Sequence, residues 1–238
     1  MRIVAWNCAK AFHNKIGRLL TLQPDVAVIS ECAAPEVLAK KCGLPKFSAP
    51  PIWHGGNPNW GLGVFFFNKA AGHCHVGFDR DLPGIIPVEV TAPRRFNLLA
   101  VWGPTGLLKR DPGPLRQALK NYRGFLKGED AVVAGDFNHN VIWDKPGWAN
   151  NHQDTINILG CYGLISAYHA QTEEAQGEET APTFYLYRKK DRPYHIDYIF
   201  VPRVWTEREF SLRVKPFEPW TGAGLSDHVP VIFDTGDG

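Results

Sequence analysis

The segment Ala131-Val132-Val133-Ala134-Gly135-Asp136-Phe137-Asn138 carries the most informative pattern in this sequence. Its apolar run, ended by a glycine, is typical of a buried strand. Two polar side chains follow at once. Because Asp136 and Asn138 are two positions apart, they share a face in extended backbone. An unpaired carboxylate is costly to bury, so the pattern predicts a strand whose end opens on a polar site.

Four other segments repeat this arrangement of an apolar run with a polar residue at its end. They place Asn7 after Ile3–Trp6, Glu31 after Val26–Ser30, Asp197 within His195–Val201, and Asp227 with His228 before Val229–Phe233. If these strands share one core, their ends can converge and the acids can share a cation. Oxygen ligands without a Cys/His cluster favour a hard ion, Mg²⁺ or Mn²⁺, over zinc. Taken singly, each residue has a plainer interpretation as a turn residue, a helix cap or a solvated acid, so the hypothesis depends on all five segments together.

Length and composition limit the class of protein. The chain has 238 residues, of which 44% are hydrophobic and 21% charged, which predicts one globular domain over residues 1–238, or at most two small ones. It excludes a disordered chain, a coiled coil and a collagen-like fibre. A net charge of +2 argues against histone-like wrapping of nucleic acid but leaves room for a local basic groove.

The sequence also gives expectations about compartment and assembly. Five scattered cysteines, an odd number, favour a reducing environment. No secretory leader and no apolar run of about 20 residues is found, so we expect a soluble, cytoplasmic protein with no membrane contact. Nothing in the sequence requires a protein partner, and we expect a monomer.

The pattern of short apolar runs predicts many strands and few helices. Strands are expected at Ile3–Trp6, Val26–Ser30, Leu62–Phe67, Ile86–Val90, Phe96–Trp102, Ala131–Ala134, Pro182–Leu186, His195–Val201, Arg208–Val214 and Val229–Phe233. Helices are expected at Asn14–Leu22, Pro35–Lys41, Leu115–Leu126 and Gln153–Leu159. This content is typical of an α+β or a layered α/β chain.

These residues resemble the endonuclease/exonuclease/phosphatase superfamily, whose DNase-I-like fold also serves exonuclease-III-like and abasic-site endonucleases. The matching pieces are Ala5-Trp6-Asn7, Asp25 to Glu31, Gly135-Asp136-Phe137-Asn138, Pro182-Thr183-Phe184, Ile196 to Phe200 and Ser226-Asp227-His228-Val229-Pro230. The resemblance spans nearly the whole chain. It implies an α+β fold, a four-layer α/β/β/α sandwich of two packed, mostly antiparallel β-sheets, with the active site at one edge.

The resemblance also implies metal-dependent hydrolysis of a phosphoester and assigns metal ligands. Glu31 corresponds to a direct ligand, and Asn7 and Asp227 resemble further direct or water-mediated ligands. Mg²⁺ or Mn²⁺ is the expected ion, and Mg²⁺ commonly takes only one or two carboxylates. A second metal near Asp136 and Asn138 stays open.

Four residues are expected to take part in the chemistry itself. Asp136 would orient or deprotonate the attacking water, and the Asn138 amide would donate to a phosphate oxygen. His228 and Asp197 resemble the His–Asp pair of the family, in which the carboxylate fixes the imidazole tautomer and favours its protonated form. A protonated His228 would stabilise the transition state, whereas a neutral one would serve as a base.

One segment departs from the family pattern. Related endonucleases often carry a Tyr or His at the end of the middle strand, followed shortly by Asn, but here the segment is Val101-Trp102-Gly103-Pro104-Thr105. Trp102 offers only an N–H donor, so the acid that protonates the leaving group stays open. Trp102 and Thr105 are expected to bind substrate, as are the basic residues Arg188, Lys189 and Arg192 that precede the Asp197 strand.

Three functions remain open at this stage. The first is a divalent-metal-dependent phosphodiesterase that acts as a DNA endo- or exonuclease, with DNA favoured over RNA. The second is a phosphatase or phosphodiesterase for a small phosphoester such as a nucleotide, sugar phosphate or phospholipid headgroup. The third is a binding protein that kept the fold. Roles at the site for His139, His152 and His195 stay open, and the acidic stretch from Glu173 to Glu179 is expected to face away from DNA.

Overall fold

A computed structural model describes residues 1–43, 46–104, 111–127 and 130–236. The strands are β1 (Arg2–Asn7), β2 (Val26–Cys32), β3 (Ala49–Asn57), β4 (Trp60–Phe66), β5 (Ala71–Cys74), β6 (Ile85–Ala92), β7 (Phe96–Trp102), β8 (Ala131–Asp136), β9 (Leu164–Ser166), β10 (Phe184–Tyr185), β11 (Pro193–Tyr194), β12 (Asp197–Pro202), β13 (Phe210–Val214) and β14 (Val231–Thr235). The helices are α1 (Ile16–Leu20), α2 (Pro35–Cys42), α3 (Pro114–Asn121), α4 (Arg123–Lys127), α5 (His152–Cys161), α6 (Ala167–Thr172) and α7 (Arg203–Thr206). Short 3₁₀ turns lie at Phe12–Asn14, Val141–Trp143 and Leu186–Arg188.

Two six-stranded sheets form the body of the fold. Their strand orders are β13-β14-β1-β2-β4-β3 and β5-β6-β7-β8-β12-β9. In the described residues each sheet has one parallel pair, β1 with β2 and β7 with β8, while its other neighbours are antiparallel. Because parallel strands end at the same edge of a sheet, the carboxyl ends of the two strands in each parallel pair lie next to each other.

Three apolar clusters divide the molecule into layers. The largest lies between the sheets and includes Val28, Phe66, Val132 and Ile199. A second packs the outer face of the first sheet against the segment that holds α1 and α2, and a third packs the outer face of the second sheet against α3, α4 and α5. The result is a four-layer α/β/β/α sandwich, and it confirms the predicted α+β, DNase-I-like fold class.

The predicted elements are mostly present, with shifted ends. The helix expected at Leu115–Leu126 is divided at Tyr122 into α3 and α4, and the helix expected at Asn14–Leu22 shortens to α1 after a 3₁₀ turn. Four strands, β3, β5, β9 and β11, and two short helices, α6 and α7, were not among the elements predicted above. β3 contains proline and glycine, β5 contains glycine, and the residues of both strands are only partly buried or exposed. Both strands therefore lack the apolar runs on which the prediction relied.

No helix among the described residues is long and apolar enough to cross a bilayer. The five cysteines are all free thiols.

Candidate active site

The two parallel strand pairs bring the predicted polar residues to one edge of the sandwich. Asn7 is the last residue of β1 and pairs with Ser30 of β2, so Glu31 follows directly beside it. Asp136 is the last residue of β8, where it lies between Trp102 of β7 and Asp197 of β12. Strand ends from both sheets therefore meet at this edge.

The Asn7 amide joins the two sheets. Its Nδ2 donates to Glu31 Oε1 at 3.2 Å and to Asp136 Oδ2 at 2.9 Å. Its Oδ1 accepts from the Ala9 backbone N–H at 2.9 Å. Because the amide oxygen is already engaged, Asn7 in this arrangement orients the two carboxylates and would offer an oxygen to a cation only after the amide turns over.

Glu31 and Asn138 both adopt left-handed backbone, with φ of 57° and 51°. At Glu31 the pairing of β2 with β4 shifts register between Ile29 and Cys32, which marks a β-bulge. A bulge re-aims the side chain, and a left-handed non-glycine residue costs free energy that the surrounding structure must supply. Asn138 is held by its own contacts, since its backbone N–H donates to Asp136 Oδ1 at 2.8 Å and its Nδ2 donates to Gly103 O at 2.9 Å.

His228 and Asp197 form a buried pair. His228 Nδ1 lies 2.8 Å from Asp197 Oδ2, and the two residues are 4% and 0% exposed. His228 Nε2 lies 4.0 Å from Asp136 Oδ2, so the imidazole stands between two carboxylates. The ring of Phe184 packs on the imidazole, with 4.7 Å between ring centroids. This arrangement fixes both the position and the orientation of His228.

Burial and charge set the protonation of this group. Burial alone would lower the pKa of His228, but the Asp197 and Asp136 carboxylates outweigh it and raise the pKa to about 10. Burial, together with the Asp197 charge, raises the pKa of Asp136 to about 7, although the His228 cation and the hydrogen bond from Asn7 act in the opposite direction. At neutral pH His228 is therefore an imidazolium.

Asp227 belongs to the same edge as Glu31. Ser226 Oγ donates to the Asn7 backbone carbonyl at 2.7 Å and lies 3.4 Å from Asp227 Oδ1. Lys15 is close enough to both Asp227 and Glu31 for their charges to act on its pKa, which burial nevertheless lowers. The two acids thus flank Asn7 and do not lie on opposite sides of the molecule.

Glu31 and Asp227 offer carboxylate oxygens, the kind of donor that a hard divalent cation prefers. In the described residues, Asp136, Asp197 and His228 also offer ligand atoms within 4.8 Å of one another. An imidazolium has no free lone pair, however, so this second group does not form a metal cage at neutral pH. Asp197 Oδ1 is buried with no hydrogen-bond partner, and the His228 charge compensates that carboxylate.

The predicted substrate-binding residues that the structure describes differ in how exposed they are. Trp102 is half-buried, and its Nε1 is buried without a partner. Arg188, Lys189 and Arg192 are exposed on the loop between β10 and β11, which leads to Asp197. Thr105 lies outside the described residues.

Several residues that support the site were not singled out from the sequence. Thr183 Oγ1 accepts from the backbone N–H of Asp197 at 3.0 Å. The buried Lys15 ammonium donates to the backbone carbonyls of Cys8 at 2.5 Å and Lys10 at 2.8 Å, which lie in the turn after Asn7. A buried lysine gives no signal of its own in sequence, whereas Thr183 lies within the Pro182-Thr183-Phe184 piece that resembles the family.

The layered fold and the buried His–Asp pair beside clustered carboxylates define a class of phosphoester hydrolases. The Endonuclease/Exonuclease/phosphatase family matches residues 4–228, and the chain belongs to this family. It is therefore a phosphoesterase, as the sequence predicted.

Solved structures share this fold over all or most of their length. A 3′ phosphatase, NExo, from Neisseria bound to a product DNA hairpin superposes with a TM-score of 0.70 at 17% identity, covering 100% of both chains. An AP endonuclease from Archaeoglobus fulgidus gives 0.67 at 18%, again covering 100% of both chains. The catalytic domain of APE2 from Xenopus laevis gives 0.61 at 16%, covering 99% of this chain and 91% of the other. A search of curated protein sequences finds no match.

Proposed function

We propose that this protein is a DNA nuclease that uses Mg²⁺ or Mn²⁺ to hydrolyse phosphodiester bonds by in-line attack of water. The observation that carries the proposal is the continuous contact from Glu31 through Asn7 to Asp136, with His228 held beside Asp136 by Asp197. Phosphodiester hydrolysis needs charge neutralisation, an activated water and fixed geometry, and this edge offers a group for each.

Glu31 and Asp227 would hold the cation, with Asn7 orienting Glu31. A bound divalent cation would neutralise charge on the phosphate oxygens and on the leaving oxygen. Lys15 fixes the turn that follows Asn7 by donating to its carbonyls. The ligands therefore rest on rigid backbone, which preserves their spacing when substrate binds.

Asp136 would take the proton of the attacking water. A group with a pKa near the working pH is the most effective general base, and burial brings the pKa of Asp136 to about 7. Asn138 Nδ2 donates to Asp136 Oδ2 at 3.0 Å and to Gly103 O at 2.9 Å, so the amide orients this carboxylate and would donate to a phosphate oxygen only by giving up one of these two bonds.

His228 would act as a fixed positive charge. As an imidazolium it donates through Nδ1 to Asp197, which leaves its Nε2–H free to donate to a phosphoryl oxygen. Because this charge is buried and already paired, it needs no reorganisation during the reaction. The leaving-group acid is not supplied by Trp102, whose indole N–H does not ionise at neutral pH.

Surface features near this edge favour a nucleic acid, with DNA before RNA. Trp60 is 40% exposed, its ring centroid lies 6.5 Å from that of Trp102, and Lys10 Nζ lies 4.0 Å above its ring. Exposed aromatic rings stack on bases, and neighbouring cations bind phosphates. The Neisseria 3′ phosphatase of similar fold binds a DNA hairpin, which agrees with this choice of substrate.

A phosphatase or phosphodiesterase for a small phosphoester is the second candidate. The net charge of +2 favours it, because a protein with so little excess charge has weak long-range attraction for a polyanion.

We propose further that residues 1–238 act as one domain, as a monomer in the cytoplasm. The five free thiols agree with a reducing compartment.

One assay series tests these proposals. Plasmid, single-stranded DNA, an abasic-site duplex, RNA and bis(p-nitrophenyl) phosphate are incubated with Mg²⁺ or Mn²⁺, with and without EDTA. We expect DNA cleavage that stops in EDTA. Cleavage that persists in EDTA would reject the metal mechanism, and hydrolysis of the small ester alone would favour the second candidate.

A further inference from the structure

An open groove with basic side chains runs between α3, α4 and α5, on the outer face of the second sheet. It has a volume of about 660 Å³ and shares no residue with the active site described above. Ile158, Cys161 and Tyr162 line it from α5 and the turn that follows. Four cations line it from α3 and α4, and these are Arg116, Lys120, Arg123 and Lys127.

The spacing of the four cations works against the stability of their own helices. Arg116 and Lys120 are four positions apart in α3, and Arg123 and Lys127 are four positions apart in α4. Side chains at this spacing are neighbours on a helix surface, and a like-charge pair there is destabilising by about 0.2–0.5 kcal/mol. The arrangement is therefore not explained by helix stability and indicates a surface used for binding.

Acids in the described part of the chain neutralise little of this charge. Arg116 is half-buried and lies 3.4 Å from Asp154. The side chains of Lys120, Arg123 and Lys127 are exposed, and no carboxylate of the described residues lies within 4.0 Å of them. The whole chain has a net charge of only +2, so the concentration of positive charge is local. It is complementary to a partner that carries several negative charges.

The side of the groove formed by α5 is apolar and has a fixed shape. Ile158 and Tyr162 are half-buried, and Cys161 is exposed. The Tyr162 hydroxyl donates to the Leu119 backbone carbonyl at 2.8 Å, which holds the ring in place. A partner therefore meets an apolar strip opposite a row of cations, and it does not have to order this strip in order to bind.

These features favour a peptide over a nucleic acid. A single strand of DNA binds by stacking its bases on exposed aromatic rings. In the described residues Tyr162 is the one aromatic side chain that lines the groove, and Lys127 Nζ already lies over its ring, 5.7 Å from the centroid. A duplex carries its phosphates on a convex surface, so it would reach the cations and leave the apolar strip empty.

The dimensions of an extended peptide match the row of cations. Cations four positions apart are about 6 Å apart along a helix axis. Every second side chain of an extended peptide points the same way, at a spacing of roughly 6.6 Å. Acids at alternate positions can therefore each meet one cation of α3 and α4, while the side chains between them face α5.

We propose that this groove, which we name the basic groove, binds an acidic segment of a partner protein in extended form, with alternate carboxylates against α3 and α4 and apolar side chains against Ile158 and Tyr162. The inference goes beyond the proposed function and is independent of it, because the groove and the active site have no residue in common. It assigns to the outer helices the recruitment of the enzyme by another protein.

A defined peptide tests this proposal without hydrolysis. The probe is a fluorescein-labelled heptapeptide, Glu-Leu-Glu-Phe-Glu-Leu-Glu, and its binding is followed by fluorescence anisotropy at low salt. We expect a Kd of about 100 µM or tighter. Replacing every Glu of the peptide by Gln should weaken binding at least about tenfold, because the charge contacts are lost. Replacing Leu and Phe of the peptide by Gly should weaken it at least about fivefold, because the apolar strip is left uncovered.

Charge reversal in the protein locates the binding site. The double variant Lys120→Glu, Lys127→Glu should bind the heptapeptide at least about tenfold more weakly, because attraction becomes repulsion. The control Lys40→Glu, Lys41→Glu makes the same change of net charge at exposed positions of α2, which packs against the other sheet. It should bind like the wild-type protein. Circular dichroism and Tm establish that both variants are folded.

Three outcomes would overturn the inference. The first is that the wild-type protein does not bind the heptapeptide, or binds the form with Gly equally well. The second is that the two double variants bind it with equal affinity, because attraction would then depend on net charge alone. The third is that the heptapeptide does not bind while single-stranded or duplex DNA loses affinity only in the Lys120→Glu, Lys127→Glu variant, which would make the groove a nucleic-acid surface.

Discussion

Replacing Asp197 by Asn tests the charge arrangement at the active site most directly. The substitution keeps the shape of the side chain and an oxygen that can accept from His228 Nδ1 over the 2.8 Å contact, but it removes a buried negative charge. The rise of the His228 pKa from 6.5 to about 10 corresponds to roughly 5 kcal/mol in favour of the imidazolium. Asp197 is the largest source of that rise, and Asp136 and Asp227 also contribute.

Without Asp197, burial is opposed only by the Asp136 and Asp227 charges, and we expect the His228 pKa to fall. If the imidazolium is largely lost at pH 7, the charge that stabilises the phosphoryl oxygens is lost with it, and kcat should fall at least roughly a hundredfold. The linked effect on stability has a definite sign. Because the folded pKa is raised, the stabilising contribution is complete below pH 6.5 and is lost as pH rises through about 10.

The assay combines kcat on bis(p-nitrophenyl) phosphate with an NMR titration of the His228 ring. Asp191→Asn changes an exposed acid on the neighbouring loop and serves as the matched control. A folded Asp197→Asn variant with kcat within about threefold of wild type, or with an unchanged ring titration, would refute the reasoning.

Three further predictions concern the metal site, the fold and the substrate. Glu31→Gln should weaken Mn²⁺ binding at least about tenfold in calorimetry, because a cation ligand loses its charge. The control Glu36→Gln, at an exposed position, should leave the affinity for Mn²⁺ unchanged. Equal Mn²⁺ affinities of Glu31→Gln and the wild-type protein would show that Glu31 is not a metal ligand. Burial alone would raise the pKa of Glu179, but hydrogen bonds from His169, from backbone N–H groups and from Asn140 lower it to about 2. Its stabilising contribution is present above pH 4.5 and lost as pH falls through about 2, so Glu179→Gln should cost up to roughly 3 kcal/mol at pH 7 and less at pH 3.5 in urea unfolding. The exposed Glu178→Gln is the control, and a cost that does not change with pH would contradict this assignment. Replacing both Lys189 and Arg192 by Gln should reduce the slope of log affinity for DNA against log salt by about 1–2. Arg208→Gln, before β13 and at the end of the sheet away from Asn7, should leave the slope unchanged, and an unaltered slope in the double variant would exclude this loop from the DNA interface.

Local sequence was sufficient for the strands that build the site. The runs before Asn7, Glu31 and Asp136 are apolar on both faces, because each strand is covered by the other sheet on one side and by helices on the other. Such strands read as continuous apolar segments, and a polar residue at the end of each stands out. The order of these residues along the chain then carried the family resemblance.

The acidic stretch from Glu173 to Glu179 has contacts that local reasoning does not give. That it faces away from DNA stays a prediction, and the structure adds that Glu174 and Glu179 accept hydrogen bonds from other side chains. Glu174 accepts from the hydroxyls of Tyr168 at 2.5 Å and Thr180 at 2.6 Å, and Glu179 accepts from the Asn140 amide at 3.1 Å. The partners of Glu174 are six positions away in sequence, and the partner of Glu179 lies 39 positions away. The folded chain brings them together, so composition alone gives no sign of these contacts.

By itself, the sequence determined which segments are buried, which residues end them, and hence the family and the oxygen-rich chemistry of the site. Only the tertiary structure decided how those residues act. It turned the Asn7 oxygen toward Ala9, placed Glu31 in left-handed backbone at a bulge, and set His228 between two carboxylates. Apolar periodicity is a local property of the chain. Hydrogen-bond direction, backbone strain and pKa depend on neighbours from other segments, such as Asp136 for Asn7 and Asp197 for His228, which come within a few ångströms only in the folded protein.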